Sequence, residues 1–151
     1  MARTWIMDST DTRILSILQD DSRKSFVELA EELGLSETAV RNRVSKLIEK
    51  GVIKRFTIQL DLDKIGKPIS SIVCVRIGGE IGPIAASGLM DIEAITEIYT
   101  VTGEYDLILK ILCKSIEDLE RVVEKIRALD FTKETNTFVI LHKVKDGDVI
   151  T

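Results

Sequence analysis

Two short amphipathic segments joined at a glycine, between Ser25 and Gly51, constrain this chain more than any other feature. Ser25 followed three residues on by Glu28 predicts a capping box, in which the serine hydroxyl accepts from the Glu28 N–H and the Glu28 carboxylate from the Ser25 N–H. Phe26, Leu29, Ala30 and Leu33 then recur at three and four, giving one apolar face. Gly34 stands where a left-handed C-cap residue is wanted, Leu35 closes the turn, and Ser36 caps a second helix. That helix is expected to bury Val40, Val44, Leu47 and Ile48 and ends at Gly51. Neither helix is long enough to stand alone. A preceding helix, with Asp8 as cap, Asp11 in its first turn and Ile14, Ile17 and Leu18 as core face, supplies the third member of a minimal helix-turn-helix unit.

The second of these helices is edged with positive charge. Between positions 41 and 55 stand Arg41, Arg43, Lys46, Lys50, Lys54 and Arg55 against the single acid Glu49, in a chain whose net charge is −4. A basic edge concentrated on one helix of an acidic protein is what phosphate neutralisation requires; a solvated helix edge is the plainer alternative. The capped turn beside it favours contact with double-stranded DNA. Thr38, Arg41, Asn42 and Ser45 are then the candidates for reading base edges, since Asn and Arg carry the donor patterns that match adenine and guanine. Arg43, Lys46, Lys50, Lys54 and Arg55 are phosphate candidates, with pairing to an acid near the first helix as the alternative for Arg43.

Beyond Gly51 the period changes to two. Val52–Leu60, with Phe56, Ile58 and Leu60 alternating with polar residues, predicts a trailing strand, either a wing or a connector. Residues 1–60 thus form a helix-turn-helix, winged-helix-like domain. Residues 61–68, acidic and broken by Gly66 and Pro68, form a linker. From 69 to 151 the expected order is a strand at Ile69–Ile77, a helix starting at Pro83 and running to Met90, and strands at Ile95–Val101 and Asp106–Leu112. A helix capped by Ser115 that buries Leu119, Val122, Val123 and Ile126 follows, then a last strand at Thr137–Lys143. This βαββαβ order is that of a ferredoxin-like domain, so the fold class is α+β. Leu107, Ile108, Leu109, Ile111 and Leu112 make the third strand apolar on both sides. With helices on one face only, the other face calls for a second copy of the chain, and a two-fold dimer would set two reading helices on a palindromic site.

Other classes find little support. No run of residues is long and apolar enough to span a membrane, and the N-terminus lacks an apolar signal core, so a cytoplasmic location is expected. Cys74 and Cys113, the two cysteines, have no metal-ligand spacing and read as buried thiols. A ferredoxin-like domain can host catalysis, yet the lone histidine, His142, lies in a terminal strand and there is no glycine-rich phosphate loop. Aromatics at 5% are too few for an RNA-stacking sheet.

The pattern Asp8-x-x-Asp11-x-x-Ile14-Leu15-x-x-Leu18, with Asp21-x-Arg23, Leu29-Ala30, Leu33-Gly34-Leu35-Ser36, Val40, Arg43-Val44, Leu47 and Gly51-Val52-Ile53, resembles the Lrp/AsnC, or feast/famine, family of transcriptional regulators. Thr102-Gly103-Glu104-Tyr105-Asp106 resembles that family's effector-domain turn. The resemblance covers nearly the whole chain. It implies a transcriptional regulator, not an enzyme, that needs no cofactor beyond a small amino-acid effector. It also implies dimers paired through the C-terminal sheets, rings of four such dimers, and free amino acids bound at contacts between dimers.

By that analogy Thr102, Gly103, Glu104, Tyr105 and Asp106 line the effector site. Gly103 would let backbone N–H groups approach a carboxylate and Asp106 would pair with an ammonium. A tight hairpin with Asp106 opening the next strand is the alternative. The polar segment Thr132–Thr137, including Glu134, Thr135 and Asn136, is expected to close over the ligand from a neighbouring subunit. Glu120 and Glu124, one turn apart on a helix, either meet the ligand or are simply solvated. A DNA-architectural protein indifferent to ligand is the second functional reading.

Overall fold

The computed structural model describes residues 6–79 and 88–145, and the chain divides into two units, one carrying the residues before Leu60 and one spanning Leu60–Val144. In the first, three helices form where the capping signals place them. Helix α1 covers Ser9–Asp20, and Asp8 and Asp11 exchange backbone-to-carboxylate hydrogen bonds at its start. Helix α2 covers Phe26–Leu33 with the Ser25/Glu28 box in place. Gly34 takes φ +67°, and the Leu35 N–H donates to the Ala30 carbonyl across the turn. This closure needs a residue without a Cβ at the left-handed position, which is why the helix stops there. Helix α3 covers Glu37–Glu49, capped by the Ser36 hydroxyl accepting from the Ala39 N–H.

Ile14, Leu18, Leu29, Ala30, Val40, Val44 and Leu47 bury together between these helices. Two expectations are corrected here. Ile48 lies at the margin of the apolar stripe and is 47% exposed rather than buried. Val52–Leu60 forms no strand: its backbone carries no ladder, and Phe56, Ile58 and Leu60 stand exposed. Alternation makes such a segment strand-competent, but a strand exists only against a neighbour, and no described segment of this chain supplies one. Within the expected linker 61–68 the chain turns at 62–66, with Gly66 at φ +74°.

The second unit is a four-stranded antiparallel sheet of β1 (Ile69–Ile77), β2 (Ile95–Thr100), β3 (Leu107–Cys113) and β4 (Thr132–Val139), in the spatial order β2-β3-β1-β4. Helix α4 (Ile116–Arg127) lies on one face. The helix expected from Pro83 to Met90 falls mostly outside the described residues. Residues 88–90 are helical, and Leu89 is buried in the same core. The α+β architecture follows the expected order.

Register sorts the side chains. Val73, Val75 and Ile77 of β1 and Leu107, Leu109, Ile111 and Cys113 of β3 face Leu119, Val122, Val123 and Ile126 of α4. The opposite face carries Ile72, Cys74 and Arg76, Ile108, Lys110 and Leu112, Glu97 and Tyr99, and Glu134, Asn136 and Phe138. Both cysteines are free and buried, as expected, and burial pushes the Cys113 thiol up.

The last strand is the largest correction. It starts at Thr132, five residues before the expected Thr137, so the polar segment assigned to a closing loop is itself paired along β1. An edge strand with one face toward solvent needs few apolar residues, and Thr-Lys-Glu-Thr-Asn-Thr therefore hides a strand from a reading based on hydrophobicity. Leu109 sits at the centre of the core with no exposed surface. Leu109→Ala should destabilise this unit by about 2–5 kcal/mol. Scanning calorimetry checks this, and an unshifted transition of the C-terminal unit would contradict the packing described.

Candidate nucleic-acid and ligand sites

The three-helix core leaves one side of α3 open. Thr38, Arg41, Asn42, Ser45 and Lys46 are all exposed along it, as are Lys50, Lys54 and Arg55 beyond its end. Burial of Val40, Val44 and Leu47 fixes the helix's rotation, and so decides which side chains are presented. Arg41 is already held in place: its Nη2 lies 2.6 Å from Glu37 Oε1, and its guanidinium stacks 4.8 Å from the centre of the Phe26 ring.

Arg43 departs from the phosphate role. Its Nη1 donates to Asp8 Oδ2 at 2.8 Å and to Asp11 Oδ1 at 2.7 Å. Asp11 is only 3% exposed, and a carboxylate buried so deeply needs a charged partner. Arg43 therefore joins α3 to the N-terminus of α1, the alternative left open by the sequence. Asp8 is held below the ordinary 3.8, first by the Asp11 N–H and then by Arg43.

In the second unit a hairpin joins β2 to β3. Val101 N–H donates to the Asp106 carbonyl and Asp106 N–H to the Val75 carbonyl. Gly103 adopts φ +121°, a conformation that other residues reach only with strain, and open space surrounds the position its Cβ would take. The Asp106 carboxylate accepts from the Ile77 N–H at 2.8 Å, so one of its oxygens fastens the hairpin to β1. Thr100, Val101, Thr102, Glu104, Tyr105 and Ile108 line an open groove of about 590 Å³ beside this hairpin.

The remaining effector candidates divide between two faces of the sheet. Glu134 and Asn136 lie on the hairpin's side, where Asn136 Nδ2 donates to the Tyr105 hydroxyl at 3.3 Å. Thr135 and Thr137 turn the other way: the Thr135 hydroxyl accepts from Arg127 Nε, and Thr137 lines a separate recess of about 370 Å³ with Leu119, Glu120, Val123, Glu124 and Arg127. Thr132 donates to the Ile126 carbonyl. Within one chain, Glu120, Glu124, Thr132, Thr135 and Thr137 are thus separated from the 102–106 turn.

Sequence reading missed Arg76. Its Nε donates to the Glu104 carbonyl at 3.2 Å, Nη2 lies 3.1 Å from Glu104 Oε1, Nη1 lies 3.4 Å from Glu134 Oε2, and the guanidinium stands 5.7 Å from the Tyr105 ring centre. A lone charge in the run Ile69–Ile77, whose other polar residues are Ser70 and Ser71, was the available signal.

Two measurements follow from the first unit. Because the folded Asp8 carboxyl lies below its unfolded value, the unfolded chain takes up the proton first on acidification. Its contribution is complete above about pH 4 and is lost as the pH falls through the folded value. Asp8→Asn should therefore flatten the acid-side decline of the melting temperature; an unchanged pH profile would show that Asp8 contributes nothing there. Lys50→Ala should leave the melting temperature unaltered while reducing the salt slope of DNA binding by about one unit, whereas Arg43→Ala should lower the melting temperature first.

Comparison with known proteins now defines the lineage. A model of winged helix-turn-helix DNA-binding domains matches residues 7–54, and a model of the Lrp/AsnC ligand-binding domain matches residues 72–150. The HTH-type transcriptional regulator LysM of Sulfurisphaera tokodaii is 35% identical over 89% of this chain and 95% of its own length. The structure of E. coli AsnC superposes with a TM-score of 0.89 at 26% identity, covering 97% of this chain and all of that one. The Neisseria meningitidis transcriptional regulator solved as an L-Met complex shares the fold, with a TM-score of 0.85 at 20% identity over 93% of this chain and 94% of its own. The chain belongs to the Lrp/AsnC family of transcriptional regulators, with an N-terminal DNA-binding helix-turn-helix and a C-terminal ligand-binding domain.

Proposed function

We propose that this protein is a regulator whose hold on DNA responds to a free amino acid. The observation that carries the reading is the pairing of a DNA-binding helix with an exposed polar face and a ligand-binding domain whose glycine hairpin borders an open groove. α3 enters the major groove, with Thr38, Arg41, Asn42 and Ser45 at base edges and Lys46, Lys50, Lys54 and Arg55 along the phosphates. Phosphate contacts set affinity, and the base-edge contacts set register and sequence. A cytoplasmic location, alongside the DNA, belongs to the same reading. No helix among the described residues is long and apolar enough to cross a membrane.

The sheet face away from α4 supports self-association. Ile72, Ile108 and Leu112 are half-buried there, and Tyr99 and Phe138 are half exposed. A second copy covers such a patch most economically, because a two-fold axis lets the same surface serve both partners. The dimer then matches a palindromic operator, and four dimers closing into a ring would set effector sites between them.

In the 102–106 turn the Gly103 backbone and Thr102 hold the effector's carboxylate end, and the groove walls Val101, Tyr105 and Ile108 take its side chain. The family's regulators argue against catalysis, and the ligand-binding domain argues against an architectural protein indifferent to metabolites. No cofactor other than the effector enters this reading.

Arg41→Ala should lose about 1–3 kcal/mol of specific operator binding; a gel-shift titration with unchanged affinity would remove Arg41 from the reading face. Among the twenty amino acids, at least one should raise the melting temperature by native-state binding, and Gly103→Val should abolish that shift while leaving DNA binding intact. If none of the twenty stabilises the protein, the sensor reading fails.

A further inference from the structure

We infer that Glu37, to which the sequence reading gave no role, is a positioning residue for DNA specificity: it commits Arg41 to a base edge and withholds that guanidinium from the phosphates. The inference rests on the proposed seating of α3 in the major groove and adds to it the group that aims the arginine.

Three observations converge. First, Arg41 is gripped from two directions. Glu37, one turn before it on α3, meets its Nη2 at 2.6 Å, and the guanidinium carbon lies 4.8 Å from the centre of the Phe26 ring on α2. Phe26 packs against the three-helix core, so this platform does not travel with the arginine. An unrestrained arginine has much rotamer freedom to lose when it meets a base, and here the posture is set beforehand. Second, the grip leaves donors over. A guanidinium carries five N–H groups, and among the described residues only Glu37 accepts from this one, so a two-pronged contact with guanine O6 and N7 stays open. Third, the pair is electrically neutral. Glu37 stands in the first turn of α3, the end of a reading helix that comes nearest the bases, where an unmatched carboxylate would be repelled by the duplex. Paired, it cancels the charge of Arg41.

The result is a division of labour along one helix. Lys50, Lys54 and Arg55 are exposed and enter no ion pair among the described residues, so they supply attraction to any duplex. Arg41 supplies direction without adding to that attraction, because its charge is already matched. Removing the carboxylate of Glu37 frees a cation to swing to the nearest phosphate, where every sequence is alike. Specificity then falls chiefly because wrong sites bind better.

The test uses the full chain, the duplex that the parent protein selects from a randomised pool, and a scrambled duplex of the same length. Affinity for each is titrated by fluorescence anisotropy across a range of salt. Glu37→Gln should bind the scrambled duplex about 3- to 10-fold more tightly and steepen its salt slope by about one unit, the signature of one added phosphate contact. Affinity for the selected duplex should gain less, so the ratio of the two falls. Changing the G·C pair read by Arg41 should weaken the parent by about 5- to 150-fold, and this penalty should shrink at that same pair in Glu37→Gln. In an Arg41→Ala background Glu37→Gln should alter neither slope nor ratio, whereas a carboxylate that merely repels DNA would act there too. The melting temperature of Glu37→Gln should stay near that of the parent, because exposed ion pairs contribute little to stability. A ratio within about twofold of the parent, or an undiminished effect in the Arg41→Ala background, overturns the assignment. So does a base preference lost in Glu37→Gln but kept in Arg41→Ala, which would make Glu37 a reader in its own right. If Arg41→Ala weakens the selected duplex while Glu37→Gln leaves the ratio alone, the seating of α3 stands and this role of Glu37 falls. If the pool yields no preferred duplex, or Arg41→Ala binds it as the parent does, both fall together.

Discussion

The link that Arg43 makes from α3 to the two carboxylates at the start of α1 is the constraint on which the reading head depends. Among the described residues, seven apolar side chains form the buried centre of the three-helix unit, a small core for a segment of under sixty residues, where burial alone leaves little margin. Asp11 is almost wholly buried and is tolerable there only with its charge matched. The pair therefore works in two directions. It satisfies a carboxylate that packing has trapped, and it ties α3 at a chosen rotation. Thr38, Asn42 and Ser45 face outward because Val40, Val44 and Leu47 face inward and Arg43 is anchored between, so the exposed side of α3 is set before any duplex arrives.

Local chemistry made most of the fold legible. Caps at Asp8, Ser25, Ser36 and Ser115 and the left-handed turn at Gly34 are short-range signals, and each appears where the residue types require it. The residues buried by α4 follow from its period alone. What escaped were features settled by distant partners. Thr132–Val139 is a strand because β1 offers it a ladder, which no property of its polar residues announces. Val52–Leu60 carries strand-like alternation and lacks that partner among the described residues. Ile48 sits at a stripe's edge, where a few degrees of rotation decide exposure.

The candidate sites divide along the same line. The exposed side of α3 could be read from periodicity, since a helix whose buried face is known has its outer face known too. For Arg43 the sequence left two roles open, because the partners that decide between them are 32 and 35 residues away. On the sheet, strand pleating sends neighbours such as Glu134 and Thr135 to opposite faces. A group of polar residues contiguous in sequence therefore parts into one set beside the hairpin and another beneath α4. Arg76 went unnoticed for the converse reason: its partners Glu104 and Glu134 arrive from two other segments of the sheet unit.

The backbone at Gly103 bears on how such a regulator can diversify. At φ +121° the position excludes side chains by torsion rather than by crowding, for nothing stands where a Cβ would go. A side chain there meets backbone strain even though room exists. On the proposed effector role, ligand preference falls to the neighbouring positions, Thr102, Glu104, Tyr105 and Ile108, while the hairpin's path stays constant. A fixed bend with exchangeable walls lets one scaffold serve many small molecules without relearning how to fold.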